Sequence, residues 1–564
     1  MIYNNEELKD DILNILDENQ DLYNALNDYN SYEYHYCLSY LRENLFLWYP
    51  FKNNANLLEI GAGCGQLTNL FCNKLDKVVS VENDDELHAI ISKRCTADNL
   101  TILKNDFAQI ETDEKFDYIV LCDIFEYGKH FFNTQNSYPD YLKYLKGFLK
   151  EDGVILIAIS NRLGLKYFSG FKEEHVDKYF IGVDGFPNID YVQTFSKPEL
   201  ENIIEQAGFS NYRFYYPYPD HHFPDVICTD EFVNKIPYGR APVYYDQRSV
   251  FFREHKLNQT LANDNLSQYF SNSFLVEIKN NDNKIETEDI KYIKLNNNRA
   301  EKFRTITVIH DDNGMLNVTK SPISPLSKNH VRNMHDAVNY DFGKIKFLDN
   351  TFDGENFTYP FIERETLENH LIDAIIANDE EKFYDWMESF YDALFYDSFL
   401  SNDYASDEFL EIFGVESHKE FHCHNITNLD VIFNNLFIID DEFVAIDYEW
   451  LFQFPIPLEY VLYRVIRHHN VTNPLFRDFA SINDIFIYFN LDEEDIDLFK
   501  NWEMNFVSWV YSGLIRPKVK KNSKWAVNNL DDFDSINREL NVLKNSKSWK
   551  ITKPLRKVMS FKRR

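Results

Sequence analysis

The residues best equipped for chemistry fall in two clusters far apart in the chain. The first is LLEIGAGCGQLTNLF, residues 57–71, where a hydrophobic run breaks into Gly61, Gly63 and Gly65 and resumes as an amphipathic stretch. Only 17 of the 564 residues are glycine. Three of them on alternate positions mark a place where backbone must turn sharply and come close to a ligand. Glu82 follows about twenty residues on, at the end of the next apolar run, where a carboxylate can accept ribose hydroxyls. A dinucleotide fingerprint, G-x-G-x-x-G, would need glycine at 66, and the chain has Gln66. The second cluster lies in NLDVIFNNLFIIDDEFVAIDYEW, residues 428–450. Asp430 is followed five positions later by Asn435, and a strand, a turn and a second strand then lead to Asp447.

The elements around the first cluster set its position. Short apolar runs at 57–60, 78–82, 100–106, 116–123 and 153–160 alternate with helix-length segments at 84–95 and 138–153. That alternation predicts a Rossmann-like, doubly wound α/β domain with a parallel sheet, whose ligands sit at the carboxyl ends of the strands. Beyond it, SNRLGLKYFSGFKEEH (160–175) and FYYPYPDHHFPD (214–225) match no regular amphipathic element. Asn161, Arg162, His175, Tyr216 and Asp220 are acceptor-binding candidates there, and each is equally readable as part of a packed aromatic loop. No side chain stands out as a general base; an acceptor that is already an anion, such as a phosphate, would need none.

Around 240–275 the chain turns polar and reads as a linker. SFLVEIK, DIKYIKL, RTITVIH and LNVTKS then form an antiparallel-looking set ending near Lys320, followed by helical segments, an α+β pattern. The expected organisation is a first domain over 1–240, a second over 265–520 and a helical or basic tail over 521–564.

The series Glu59, Gly61, Gly63, Gly65 resembles motif I of class I S-adenosylmethionine-dependent methyltransferases. Glu82 in VVSVEND, Asp106 and Phe107 in LKNDF, and FDYIVLCDIFEYG follow in that family's order, and the resemblance covers roughly residues 35–215. It implies that S-adenosylmethionine binds along the glycine turn, with Glu82 on the ribose and Asp106 at the adenine amino group. A scaffold of the same fold without a nucleotide is the alternative.

The D-x-x-x-x-N…D spacing of Asp430, Asn435 and Asp447 resembles the catalytic loop and metal-binding aspartate of protein-kinase-like enzymes, the aminoglycoside and choline phosphotransferase branch above all. The resemblance implies that Asp430 takes the proton of an acceptor hydroxyl, that Asn435 and Asp447 hold Mg²⁺ on ATP, and that Lys320 in NVTKS grips the phosphates. YPFIERETLENHL (359–371) resembles the hinge and the helix after it. Three departures stand out. Asn428 takes the usual histidine position, no glycine-rich loop occurs near 295–310, and SPLSKNHVRNM offers no glutamate for Lys320. A degenerate binding domain therefore stays open beside an active kinase. His422 and His424, His221 and His222, and His468 and His469 lack further ligands at metal spacing and read as local structure.

This domain order resembles bifunctional enzymes that cap bacterial surface polysaccharides, which implies a glycan or phosphorylated sugar acceptor. Two alternatives remain: a single-activity sugar or small-molecule methyltransferase with a non-catalytic second domain, and a non-enzymatic scaffold of glycan-assembly enzymes. A net charge of −33 excludes general nucleic-acid binding through phosphate neutralisation. Seven cysteines without a C-x-x-C pair, an acidic start and no long apolar run point to a cytoplasmic protein. Residues 544–564 carry nine Lys or Arg and no acid, interleaved with Trp549, Ile551, Leu555 and Phe561. Such a tail suits a peripheral tether to the inner face of an anionic membrane, or docking onto a glycosyltransferase.

Overall fold

A computed structural model describes residues 5–235 and 251–516, apart from Asn19, Arg253 and Asp341, together with residues 540, 542–544 and 546. All of the basic tail except Lys544 and Ser546 lies outside the described residues. The chain opens with helices α1 (Glu6–Asp17) and α2 (Tyr32–Leu38) and enters the sheet at β1 (Asn56–Ile60). Strands β2 (Lys77–Val81), β3 (Leu100–Leu103), β4 (Phe116–Cys122) and β5 (Leu149–Ser160) join it in the order β3-β2-β1-β4-β5, all parallel. Leu58 stands opposite both Val79 and Ile119, and these near-continuous apolar strands are buried on both faces, as a helix-covered parallel sheet requires. The crossover helices include α3 (Thr68–Lys74), α4 (Asp85–Arg94) and α5 (Ser137–Lys146). The Asp84 carboxylate starts α4 by accepting from the backbone N–H groups of Glu86 and Leu87 at 3.0 Å.

The sheet then departs from the expected domain division. Helix α6 (Lys197–Gln206) leads to β6 (Asn211–Tyr218) and β7 (Val226–Thr229), and the segment 254–263 forms helix α7 (Glu254–Asn263). The polar stretch expected as a linker is therefore helical in part. Strand β8 (Ser273–Lys279), expected to open the second domain, inserts antiparallel between β5 and β6. Its side chains are buried throughout, so the first domain is incomplete without residues beyond 265. Strand β7 pairs with β9 (Ile290–Leu295), and β10 (Thr305–Asp312), β11 (Met315–Pro322), β12 (Thr351–Phe352) and β13 (Phe357–Pro360) continue antiparallel. Among the described residues this makes one sheet of 13 strands. One apolar core follows one face of it, from Leu58 and Ile119 through Phe214 and Cys228 to Ile309, Val318 and Tyr359, and another covers the opposite face around Leu57, Tyr118, Leu156 and Ile293.

Helix α8 (Lys328–Asp336) lies between β11 and β12; α9 (Leu367–Ala377) and α10 (Glu380–Phe395) follow β13, and then comes the hairpin β14 (Leu436–Ile439) and β15 (Glu442–Ala445). Asp440 and Asp441, with φ of 51° and 63°, make its two-residue turn, the left-handed geometry that tight hairpins need. Helices α11 (Leu458–Thr472) and α12 (Glu493–Val510) close a further core around Leu371, Phe390, Phe421 and Trp502. Among the described residues no helix is long and apolar enough to cross a membrane. All seven cysteines are free, and Cys122 alone is not fully buried.

Candidate functional site

A cavity of about 720 Å³ opens at the carboxyl ends of β1, β2 and β4. The glycine turn forms one wall. Gly61, Gly63 and Gly65 have φ of 73°, 56° and 70°, a region that side-chain-bearing residues rarely adopt. A Cβ on Gly61 would stand 3.1 Å from the Ile124 side chain, and one on Gly65 would stand 3.0 Å from the Cys95 Sγ. Glu82 Oε2 accepts the Gly63 N–H at 3.0 Å, and Oε1 accepts those of Asn83 and Asp84 at 2.9 and 3.2 Å. Burial raises the Glu82 pKa, with these three donors opposing. Glu59, behind the turn, accepts from Thr68 Oγ1 at 2.7 Å and Ser80 Oγ at 2.6 Å; burial, with Glu82 adding, pushes it up to about 7.

Glu59, Gly61, Gly63, Glu82 and Phe107 line this cavity together. Asp106 is not among the residues bordering it; it is exposed and caps a turn by accepting from Ala108 N at 2.8 Å. Of the acceptor candidates, His175 reaches the cavity. Asn161 instead holds the Tyr269 and Ser271 carbonyls at 2.9 and 2.7 Å, and Arg162 is paired with Glu199, the residue that closes the cap of α6. Tyr216 donates to Asp230 at 2.6 Å. Asn161 and Arg162 follow β5 and Tyr216 lies within β6, and in this structure each is held by those partners. Asp220 is fully buried behind His222, whose backbone N–H it accepts at 3.0 Å.

The cavity also holds groups that the sequence reading passed over. Asp123 ends β4 with a φ of 57° and turns its carboxylate toward Tyr36, Arg42, His221 and His222. Tyr36 Oη donates to Asp123 Oδ2 at 2.6 Å, and Arg42 lies 3.5 Å from the same oxygen. Burial works against the charge on Asp123, but the two imidazoles hold its pKa well below the carboxylate range. His175 sits between Glu173 and Glu126 at 2.6 and 3.1 Å. Burial opposes its protonation, and the two carboxylates overcome this and raise its pKa well above that of a free imidazole. A strand-end aspartate was a legible signal for Asp123. Nothing in sequence brings Tyr36 and Arg42, from the N-terminal helices, to the same point.

The second cleft lies between the β9–β11 and β13 face and the β14–β15 hairpin, and holds about 170 Å³. Lys294, Lys320, Tyr359, Phe437, Ile446, Asp447 and Glu449 line it. Lys320 Nζ binds Asp447 Oδ1 at 2.7 Å; burial opposes its charge, and Asp447 keeps its pKa raised. Asn435 Nδ2 donates to the Asp430 carbonyl at 3.0 Å. Carboxylate oxygens of Asp430, Asp447 and Glu449 converge within 4.8 Å. Burial, then Asp447 and Glu449, push Asp430 up to about 7. Two of the three departures noted in sequence find a physical account. Asn428 accepts the Asp430 N–H at 2.9 Å and donates to the Asp447 carbonyl at 3.3 Å, so it braces both aspartates without an imidazole. Helix α8 offers His330, 3.0 Å from Glu449, and Arg299 in the β9–β10 loop binds the same carboxylate. Glu449 takes those partners, and Lys320 pairs with Asp447.

The remaining histidines serve local structure. His422 binds Glu459 at 2.7 Å, His424 the Leu394 carbonyl at 2.9 Å, and His469 accepts the Phe433 N–H at 3.0 Å.

Residues 29–213 match the family model described as a methyltransferase domain. Ribosomal RNA small subunit methyltransferase A of Mycoplasma mobile is 26% identical over 164 residues, 28% of this chain and 61% of that protein. The protein of the same name from Mycoplasmopsis pulmonis is 31% identical over 71 residues, 13% of this chain and 28% of that one. Malonyl-acyl-carrier-protein O-methyltransferase of Priestia megaterium is 24% identical over 187 residues, 33% of this chain and 63% of that one. The chain thus spans between 28% and 63% of the lengths of these relatives. The N-terminal region has a Rossmann-like fold, and its match to the methyltransferase-domain model ends within β6, before β7.

Proposed function

We propose that this protein transfers a methyl group from S-adenosylmethionine to an oxygen of a glycan or related polyhydroxyl acceptor. One observation carries the reading: a glycine turn locked by Glu82 borders a cavity whose lining includes the carboxylates of Glu82 and Asp84. That lining repels the pyrophosphate of a dinucleotide and suits a cationic ligand. When bound, S-adenosylmethionine supplies an electrophilic methyl group on a sulfonium centre. The backbone of Gly61–Gly65 allows close approach of the ligand, Glu82 offers a carboxylate to its ribose hydroxyls, and Phe107 and Leu87 provide apolar contact. Tyr127, Phe171, Glu173, Glu174, His175 and Asp177 border the same cavity, a mixture of rings and hydrogen-bonding groups suited to a sugar. Glu33, Glu173, Glu174 and Asp177 weigh against the phosphorylated acceptor that the domain order suggested, with Lys172 and Arg42 opposing them. Radiolabelled methyl transfer to a neutral and a phosphorylated glycan primer tests this. Faster labelling of the neutral primer is expected, and transfer confined to the phosphorylated one would reverse the assignment.

A second reading applies to the other cleft: it binds Mg²⁺–ATP and phosphorylates a hydroxyl of a surface-glycan precursor. The Lys320–Asp447 contact at 2.7 Å, beside Asp430 and Asn435, favours it. Asp447 and Asn435 would hold the ion, Lys320 the phosphates, and Asp430, with its pKa near neutrality, would accept the hydroxyl proton. ATP turnover that needs Mg²⁺ and disappears in Asp447→Asn is the expected result. No ATP binding by the full chain would leave a non-catalytic binding domain.

A further inference from the structure

At the acceptor end of the large cavity, Asp123, His221 and His222 each turn one ligand-type atom toward a common point, all within 4.8 Å of one another. Nε2 of His221 and Nε2 of His222 both approach Asp123 Oδ1, the latter at 3.2 Å. The other oxygen, Oδ2, is already held by Tyr36 and Arg42. His222 binds Tyr32 Oη through Nδ1 at 2.7 Å, the outer hydrogen bond that fixes ring orientation in metal-ligating histidines. Two buried polar atoms of the same tripeptide, His221 Nδ1 and Asp220 Oδ2, have no hydrogen-bond partner among the described residues. Such orphans are rare in folded proteins. Carboxylates also outnumber fixed cations in the surrounding shell. Asp123, Asp220, Glu126, Glu173 and Glu174 face Arg42, Lys166 and the protonated His175.

We propose that Asp123, His221 and His222 bind one divalent transition-metal ion beside the methyl-donor cavity, where it takes an acceptor oxygen as a further ligand. Two imidazoles and a carboxylate select zinc, iron, manganese or cobalt over magnesium and calcium, which prefer all-oxygen sites. Asp123 and His222 line the cavity itself, so the remaining coordination positions are open to a ligand in it. A sugar hydroxyl on such an ion is more acidic than in water, which would make a neutral oxygen nucleophilic. The role given to the acceptor rests on the methyltransferase reading; the metal site does not.

The test uses the full-length protein carrying Asp447→Asn, which removes the carboxylate cluster of the second cleft as a competing site. After chelator treatment and dialysis it is titrated with Co²⁺, followed by visible absorption and calorimetry. One equivalent should bind, with paramagnetically shifted histidine N–H signals. His222→Gln and Asp123→Asn should each weaken binding at least about tenfold. Unchanged Co²⁺ affinity in either variant, with wild-type circular dichroism, would overturn the site. So would a Co²⁺ complex of the parent protein with no histidine signals, a readout that stands even if both variants fail to fold. S-adenosylmethionine binding to the metal-free protein should persist. Its absence would count against the methyltransferase reading and leave the metal site standing.

Discussion

The two candidate sites of this molecule carry related sets of side chains and differ in what holds them. The first, of about 720 Å³, is bordered by backbone in a fixed turn, and its Glu82 carboxylate is held by three backbone N–H groups. The second, of about 170 Å³, falls below the roughly 300–1,000 Å³ usual for small-molecule sites. Ion pairs cross it, Lys320 to Asp447 and Arg299 to Glu449. A backbone-built site is ready before its ligand arrives. A site strapped by side-chain ion pairs must exchange those partners for the ligand's charges, so its affinity depends on a metal and a polyanion arriving together.

Several changes would break or sharpen that contrast. The largest effect is expected from Asp430→Asn, which should lower phosphate transfer by about 10²–10⁴-fold and leave methyl transfer intact. Parallel loss of both activities in a folded variant would show that the cavities are not independent. Next comes Glu59. Its carboxyl, raised by burial to about 7, is protonated in the folded chain and ionised in the unfolded chain between the ordinary carboxylate range and neutrality. Folding stability should therefore be fully present at low pH and fall as pH rises through about 7. The loss is on the order of 2–3 kcal/mol, which Glu59→Gln should remove. Denaturant titrations at pH 5 and pH 8 measure this, and an identical slope with pH in the variant would contradict it. The smallest effect concerns the join between the two regions, where Asn297 donates to Asn44 at 2.9 Å in a buried setting. Asn297→Ala should cost about 0.5–1.5 kcal/mol of stability, visible as a lowered thermal midpoint, with ligand affinities unchanged.

The first cavity was largely legible in sequence because it is local. Strand, glycine turn, helix and the acid of the next strand lie within residues 56–84, and the left-handed glycines leave a spelled-out trace. The Asp430–Asn435–Asp447 unit was legible for the same reason, being one loop and one hairpin. Strand β8 was not, because its pattern is that of any short apolar strand, and its partners β5 and β6 are chosen by long-range pairing. Asn161, Arg162 and Tyr216 were expected at an acceptor because they are polar or aromatic in irregular sequence. Their partners, the Tyr269 carbonyl, Glu199 and Asp230, are settled only by tertiary packing. His221 and His222 failed as a metal pair in sequence because their third partner, Asp123, lies on a distant strand.

The central claim is that a carboxylate-bordered backbone turn binds the methyl donor, and calorimetry on the full-length protein and on Glu82→Ala tests it most directly. One equivalent of S-adenosylmethionine should bind the wild type. Glu82→Ala should weaken that binding by about 1–3 kcal/mol, through loss of the ribose partner and of three backbone contacts, without altering Mg²⁺–ATP binding. Undiminished S-adenosylmethionine affinity in a folded Glu82→Ala protein would contradict the account.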